Sequence, residues 1–186
     1  MKKEKNRSVI YVAIFIALIM ALSIIGFLWS GGSKGQYSYN GFSFNSEAGE
    51  WKTSLGQKTL AFQNLPEEVS NISISDEAKY LIQNAKMIYI SYNPGEDGEE
   101  LALTQYSLSL NIGTNSRFAV NAVTESNETN LPAITCANAT QPVPVILLEK
   151  NETSGSIILN NSCLILKGQP QKLADRLVYA IYGIIK

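Results

Sequence analysis

The residue types that could carry chemistry here are few, and the first fact is an absence: the 186 residues contain no histidine. That excludes Ser-His-Asp and Cys-His nucleophile systems, His-bearing zinc sites and the commonest general acid/base. No G-x-S-x-G elbow, Walker loop or G-x-G-x-x-G fingerprint occurs, so the usual nucleophile and nucleotide signatures are missing too. Carboxylates remain. The densest run, Glu96-Asp97-Gly98-Glu99-Glu100, falls between a strand and a helix, where α/β proteins often place sites, and would suit Ca²⁺ or a carboxylate pair. It lacks the D-x-D-x-D-G spacing that wraps oxygens around an ion, and acidic side chains at a helix N-terminus are favourable for the dipole alone. Asp175 and Arg176 are adjacent on a helix, do not face each other, and read as solvated surface. The sequence thus assigns no catalytic residue, metal ligand or cofactor, and the expectation is a protein that is not an enzyme.

Cys136 and Cys163 are the only cysteines. Oxidising surroundings would join them, and closing that loop would stabilise a small domain by roughly 3–4 kcal/mol. The alternatives are two buried thiols, or a metal site for which two cysteines supply half a ligand set. Asn-x-Ser/Thr sequons at Asn71, Asn127, Asn138, Asn151 and Asn160 are candidate glycosylation sites, which would need to lie at the surface.

Charge and hydropathy divide the chain. The leader 1–8 carries Lys2, Lys3, Lys5 and Arg7 against Glu4, a net +3, which leaves −4 for the rest of a chain whose total is −1. No basic cluster follows, so capture of nucleic acid phosphates is not expected. Residues 9–29 are uncharged and almost wholly apolar, long enough as a helix to cross about 30 Å of hydrocarbon. Tyr11 and Trp29 stand near the ends, and the basic leader would stay in the cytoplasm. The expectation is a single-pass membrane protein with the lipid bilayer as partner through 9–29 and its C-terminal part outside the cytoplasm. A cleaved signal peptide is the alternative; it would have a shorter apolar run and an A-x-A site. Residues 30–36 read as a flexible linker reaching about 15 Å, and 37–186 as one domain.

Within that domain, Tyr37-Ser-Tyr-Asn-Gly-Phe-Ser-Phe44 alternates about Asn40-Gly41, the signature of a type I′ hairpin. Its four rings share one side, as a core face or a platform for sugar or peptide. Trp51–Ser54 and Thr59–Gln63 continue the sheet. Ser75 caps a helix with Ala78, Leu81, Ile82 and Ala85 on one stripe. Met87–Tyr92 reads as a central strand, and a helix over 99–111 closed by Gly113 leads to a strand over Arg117–Val123, making a βαβ unit. Strands over Pro144–Leu148, Ser156–Leu159 and Cys163–Lys167 precede an amphipathic helix from Pro170 bearing Leu173, Leu177, Ile181 and Ile184. The fold class expected is α/β (α+β): one mixed β-sheet with an N-terminal hairpin, a central βαβ unit and a C-terminal helix, preceded by one transmembrane helix.

The C-terminal pattern Ile134-Thr-Cys136, Pro144-Val-Ile146, Cys163-Leu-Ile-Leu, Gly168, Ala174-Asp-Arg-Leu-Val-Tyr179 and Tyr182-Gly-Ile resembles that of uncharacterised archaeal single-span membrane proteins. The resemblance covers about the last fifty residues. It implies a paired-cysteine, membrane-anchored outer domain with a closing helix, and transfers no functional residue. A surface or membrane protein partner is expected. The functional expectation is a binding or envelope-assembly protein at the cell surface. The alternatives are an accessory subunit of a membrane complex, docking through its spanning helix or its C-terminal helix, and a carboxylate-dependent hydrolase or sugar-processing enzyme.

Overall fold

Asn40 and Gly41 both adopt positive φ, 47° and 83°, as a two-residue type I′ turn requires, and they close the first hairpin. In the computed structural model, which describes residues 7–29, 35–95, 97–113, 117–125, 130–152 and 155–185, the side chains of 7–10 and 23–29 fall outside the description. β1 (Gln36–Tyr39) and β2 (Phe42–Glu47) pair antiparallel, with Tyr37 opposite Phe44 and Tyr39 opposite Phe42 as the alternation requires. β3 (Glu50–Leu55) and β4 (Lys58–Phe62) extend them into a meander of order β1-β2-β3-β4. The ring-bearing face is a core face: Phe44 and Phe62 are buried and meet Tyr179 at centroid distances of 6.0 and 4.1 Å.

After the short helix Pro66–Val69 and a second helix, the chain builds a second sheet. The helices are α1 (Arg7–Trp29), α2 (Pro66–Val69), α3 (Asp76–Asn84), α4 (Gly98–Ile112) and α5 (Pro170–Ile181). The strands are β5 (Met87–Tyr92), β6 (Phe118–Val123), β7 (Val145–Lys150), β8 (Ser156–Asn160) and β9 (Cys163–Gly168). Ser75 Oγ accepts from Ala78 N at 3.2 Å, the cap its position predicts for α3. The sheet order is β6-β5-β7-β9-β8, parallel except for β8, which forms an antiparallel hairpin with β9. Register places Ile88, Ile90, Tyr92, Ile146, Leu148, Leu164 and Leu166 on the face packed against α4 and α5. The opposite face carries Ser91 and Cys163, and the segment before β7 is bound there: Ser91 Oγ donates to Ile134 O at 2.6 Å.

Two expectations are corrected. The meander and the mixed sheet are separate sheets, so the fold is α+β with two sheets in place of one. The physical reason is α5, whose Leu173, Leu177, Ile181 and the following Ile184 are all buried and whose Tyr179 stands against the meander while its other side meets β7 and β9. A helix occupying that position fills the space through which strand pairing would have continued. The second correction concerns the membrane. The chain divides into two units, Met1–Gly35 and Gln36–Lys186. The first contains α1, yet among the described residues no helix is long and apolar enough to cross a membrane. The transmembrane helix over 9–29, and the single-pass localisation built on it, are withdrawn on that finding. Leader residues 1–6 and linker residues 30–34 lie outside the described residues.

Asp175 and Arg176 depart most from expectation, being 1% and 4% exposed. Their surroundings explain it. Asp175 Oδ2 accepts from Gln63 N at 3.1 Å, Asn64 N at 2.9 Å and Asn64 Nδ2 at 2.8 Å, and Oδ1 from Gln171 Nε2 at 2.9 Å. Arg176 Nε donates to Ile72 O at 2.7 Å, and Tyr179 Oη to Asn64 O at 2.6 Å. Burial outweighs the four donors and pushes the Asp175 carboxyl up to about 6. The unfolded chain ionises near pH 4, so between about 4 and 6 the native state binds the extra proton. Stability therefore falls as pH rises through that window, by roughly 3 kcal/mol, with the contribution fully present below pH 4. Urea denaturation midpoints should decline from pH 4 to 6.5 in the natural chain and flatten over that range in Asp175→Asn; an Asp175→Asn profile of unchanged slope would contradict the assignment.

Candidate functional site

The acidic run sits after β5, at the carboxyl end of the parallel strands. There Lys150, the last residue of β7, donates to Asp97 Oδ1 at 2.7 Å and lies 2.9 Å from Glu100 Oε2. These hydrogen bonds to Asp97 and Glu100 raise the Lys150 pKa above the ordinary lysine value. With Glu99 and Leu103, the three residues line an open depression of about 340 Å³. The ammonium occupies the position between the carboxylates that a glycosidic oxygen or a metal ion would need. As built, this is a solvent-screened ion-pair cluster on a helix N-terminus. Glu96 lies outside the described residues.

The cysteines are joined, with Cα atoms 5.2 Å apart. Cys136 opens a single 3-10 turn (Cys136–Asn138), and Cys163 opens β9. Of the sequon residues, Asn71, Asn138 and Asn160 are exposed and Asn151 is half-buried, while Asn127 lies outside the described residues. Asn138 Oδ1 accepts from Thr135 N at 2.8 Å, so its side chain also serves as a cap. Asn71 and Asn151 border the same depression of about 330 Å³ at the start of α5.

A wider groove, of about 1000 Å³, runs along the outside of α3. One wall is helical, with Tyr80, Leu81 and Asn84 at helical spacing and Asp76 and Glu77 at the acidic end. The other wall combines Gln141 and Pro142, just beyond the 3-10 turn, with Leu159, Asn161 and Ser162 at the β8–β9 hairpin. Asn161 takes φ 53°, which turns the hairpin in two residues. The disulfide fastens the two segments of that second wall to each other, because Cys136 precedes one and Cys163 ends the other. The volume lies at the upper limit of ordinary ligand sites. Among the described residues no lysine or arginine lines it, and its polar groups are carboxylates, amides and the hydroxyls of Tyr80 and Ser162.

Sequence reasoning identified the cysteines and the hairpin as separate features, but the groove depends on their meeting α3 across the fold. Tyr80 gave the one available signal: it lies off the apolar stripe of α3 and is 70% exposed. Compared with known protein families, curated proteins and solved structures, the chain matches none of them.

If the disulfide holds the second wall, reducing it should loosen that wall alone. Amide exchange at Gln141 and Val143 and around Ser162 should accelerate at least tenfold on reduction or in Cys136→Ser/Cys163→Ser, with Leu81 and Ile82 of α3 little changed. Uniform acceleration would refute a particular hold on that wall; in either case the variant's denaturation should show a loss of roughly 3–4 kcal/mol, as expected for the 27-residue separation.

Proposed function

We propose that the 36–186 domain is a non-enzymatic binding module that holds an extended segment of another protein in the α3 groove. The carrying observation is the groove's make-up: apolar Tyr80, Leu81, Pro142 and Leu159 beside the amides of Asn84, Gln141 and Asn161, with acidic Asp76 and Glu77 at one end. Apolar side chains supply area, amides pair with the donors and acceptors of an extended backbone, and Glu77, with Asp76 held by Lys79, leaves that end a net negative charge that favours a segment bearing Lys or Arg. A fixed disulfide-tied wall lowers the ordering cost of binding.

Two further features favour binding over catalysis. The strongly perturbed Asp175 and Tyr179 are directed at backbone groups of Gln63 and Asn64, and the Asp97/Glu100 pair is directed at Lys150. The reading of an accessory subunit docked by its C-terminal stripe is disfavoured, because Leu173, Leu177 and Ile181 are buried within their own domain.

A randomised peptide library selected on the full chain should enrich sequences combining a cation with apolar residues. Resonance shifts on titration should cluster at Tyr80, Leu81, Gln141, Leu159 and Asn161. Tyr80→Ala should weaken the selected peptide at least tenfold with the fold intact. Shifts elsewhere, or unchanged affinity in Tyr80→Ala, would refute the groove as the binding site.

A further inference from the structure

α4 has two apolar faces, and the fold uses only one. Leu101, Leu108 and Ile112 are buried in the core, with Gln105 donating through one nitrogen to Ile90 O and Ala122 O at 2.5 and 2.7 Å. On the opposite face Leu103, Tyr106 and Leu110 recur at intervals of three and four and are 65%, 59% and 58% exposed. A helix apolar on opposite faces is ordinarily covered on both. The stripe presents on the order of 400 Å², comparable to the largest apolar patch of a typical monomer, which is often functional.

The pattern is complementary to itself. About a two-fold axis passing near Tyr106 and Ser107, an antiparallel copy of α4 sets Leu103 against Leu110 of the second copy at both ends of the contact, with the tyrosines at the centre. The flanking charge has the same symmetry. Glu99 and Glu100 stand at the N-terminal end of α4, where Lys150 already holds Glu100, so that Glu99 is the carboxylate that Lys150 leaves to the contact. At its C-terminal end Lys58 Nζ donates to the carbonyls of Asn111, at 2.6 Å, and Gly113. Antiparallel packing brings the acidic end of each copy to the lysine end of the other and opposes the helix dipoles, whereas parallel packing sets like against like. Two stripes bury about 800 Å², to which partly exposed Ala102 and Ser109 add, an area below the ~1,200 Å² of stable specific interfaces and typical of weak, reversible association.

We propose that two copies of this chain associate through the outer face of α4, antiparallel about a two-fold axis, with Leu103, Tyr106 and Leu110 forming the contact. The α3 groove takes no part in this association, so the dimer stands or falls independently of peptide binding. The test uses the full chain with p-benzoylphenylalanine in place of Tyr106, mixed from ¹⁴N and ¹⁵N preparations and irradiated. Mixed-isotope peptides joining position 106 to residues 102–110 of the other copy are expected. Their yield should fall at least tenfold in Leu103→Glu/Leu110→Glu. Glu99→Lys, which leaves the stripe unaltered, should lower the yield several-fold at low salt and much less at high salt. Cross-links confined within one chain or directed to another surface would overturn the proposal, as would a yield that neither variant reduces.

Discussion

The fold depends on how one strand edge is closed. β4 ends the meander, and an edge strand leaves every second residue with its N–H and C=O turned outward, unpaired and able to template another strand. Here side chains from two helices supply what a fifth strand would have supplied. Asn111 from α4 meets Ala61 with both halves of its amide, accepting from the N–H at 3.2 Å and donating to the C=O at 2.7 Å. Asp175 from α5 takes the next outward N–H, that of Gln63, together with Asn64. Since buried backbone groups must be paired, these contacts allow the meander to end against helices. They also fix where α4 and α5 lie, and through them where the mixed sheet packs.

That closure accounts for the cluster of buried polar side chains on α5. A buried carboxylate, a buried guanidinium and a buried phenol within five residues of α5 would usually draw attention as a possible active site. Here the carboxylate and the phenol bond to backbone at Gln63 and Asn64, and the arginine bonds to Ile72. Their perturbed titration reflects desolvation at a joint between layers, where polar side chains replace a ladder. The two surfaces on which the proposed binding and association rest, the α3 groove with its cystine-tied wall and the outer stripe of α4, are defined instead by shape and apolar character.

How much of this was legible in the sequence varied with the range of the interaction. Asn40-Gly41 announced its hairpin because positive φ at two successive positions is a local demand, and Ser75 announced α3 because a cap acts over three residues. Strands β5 and β7 to β9 were legible as apolar runs between turns. The division into two sheets was not, because no local signal says whether Phe62 faces another strand or Tyr179 of a distant helix. Asp175 and Arg176 misled for the same reason: neighbours four residues away on a helix are visible in sequence, whereas the backbone of Gln63 is not. Leu103, Tyr106 and Leu110 were legible as apolar but were not separable from the core set of α4 until its buried face was known. The ion pairing of Lys150 with Asp97 required the adjacency of β5 and β7, a parallel pairing that chain order leaves open.

Closing an edge with a side chain far along the chain also orders events in time. Asp175 lies 112 residues beyond Gln63, which at ribosomal elongation rates means a delay of roughly 6–20 s between the two leaving the peptidyl transferase centre. For that interval the nascent meander has its outer strand unsealed by α5, in a crowded polysome where sister chains carry the same open border. Chaperone occupancy during translation would matter more for this protein than its modest size suggests, and the hazard ends when the final helix docks.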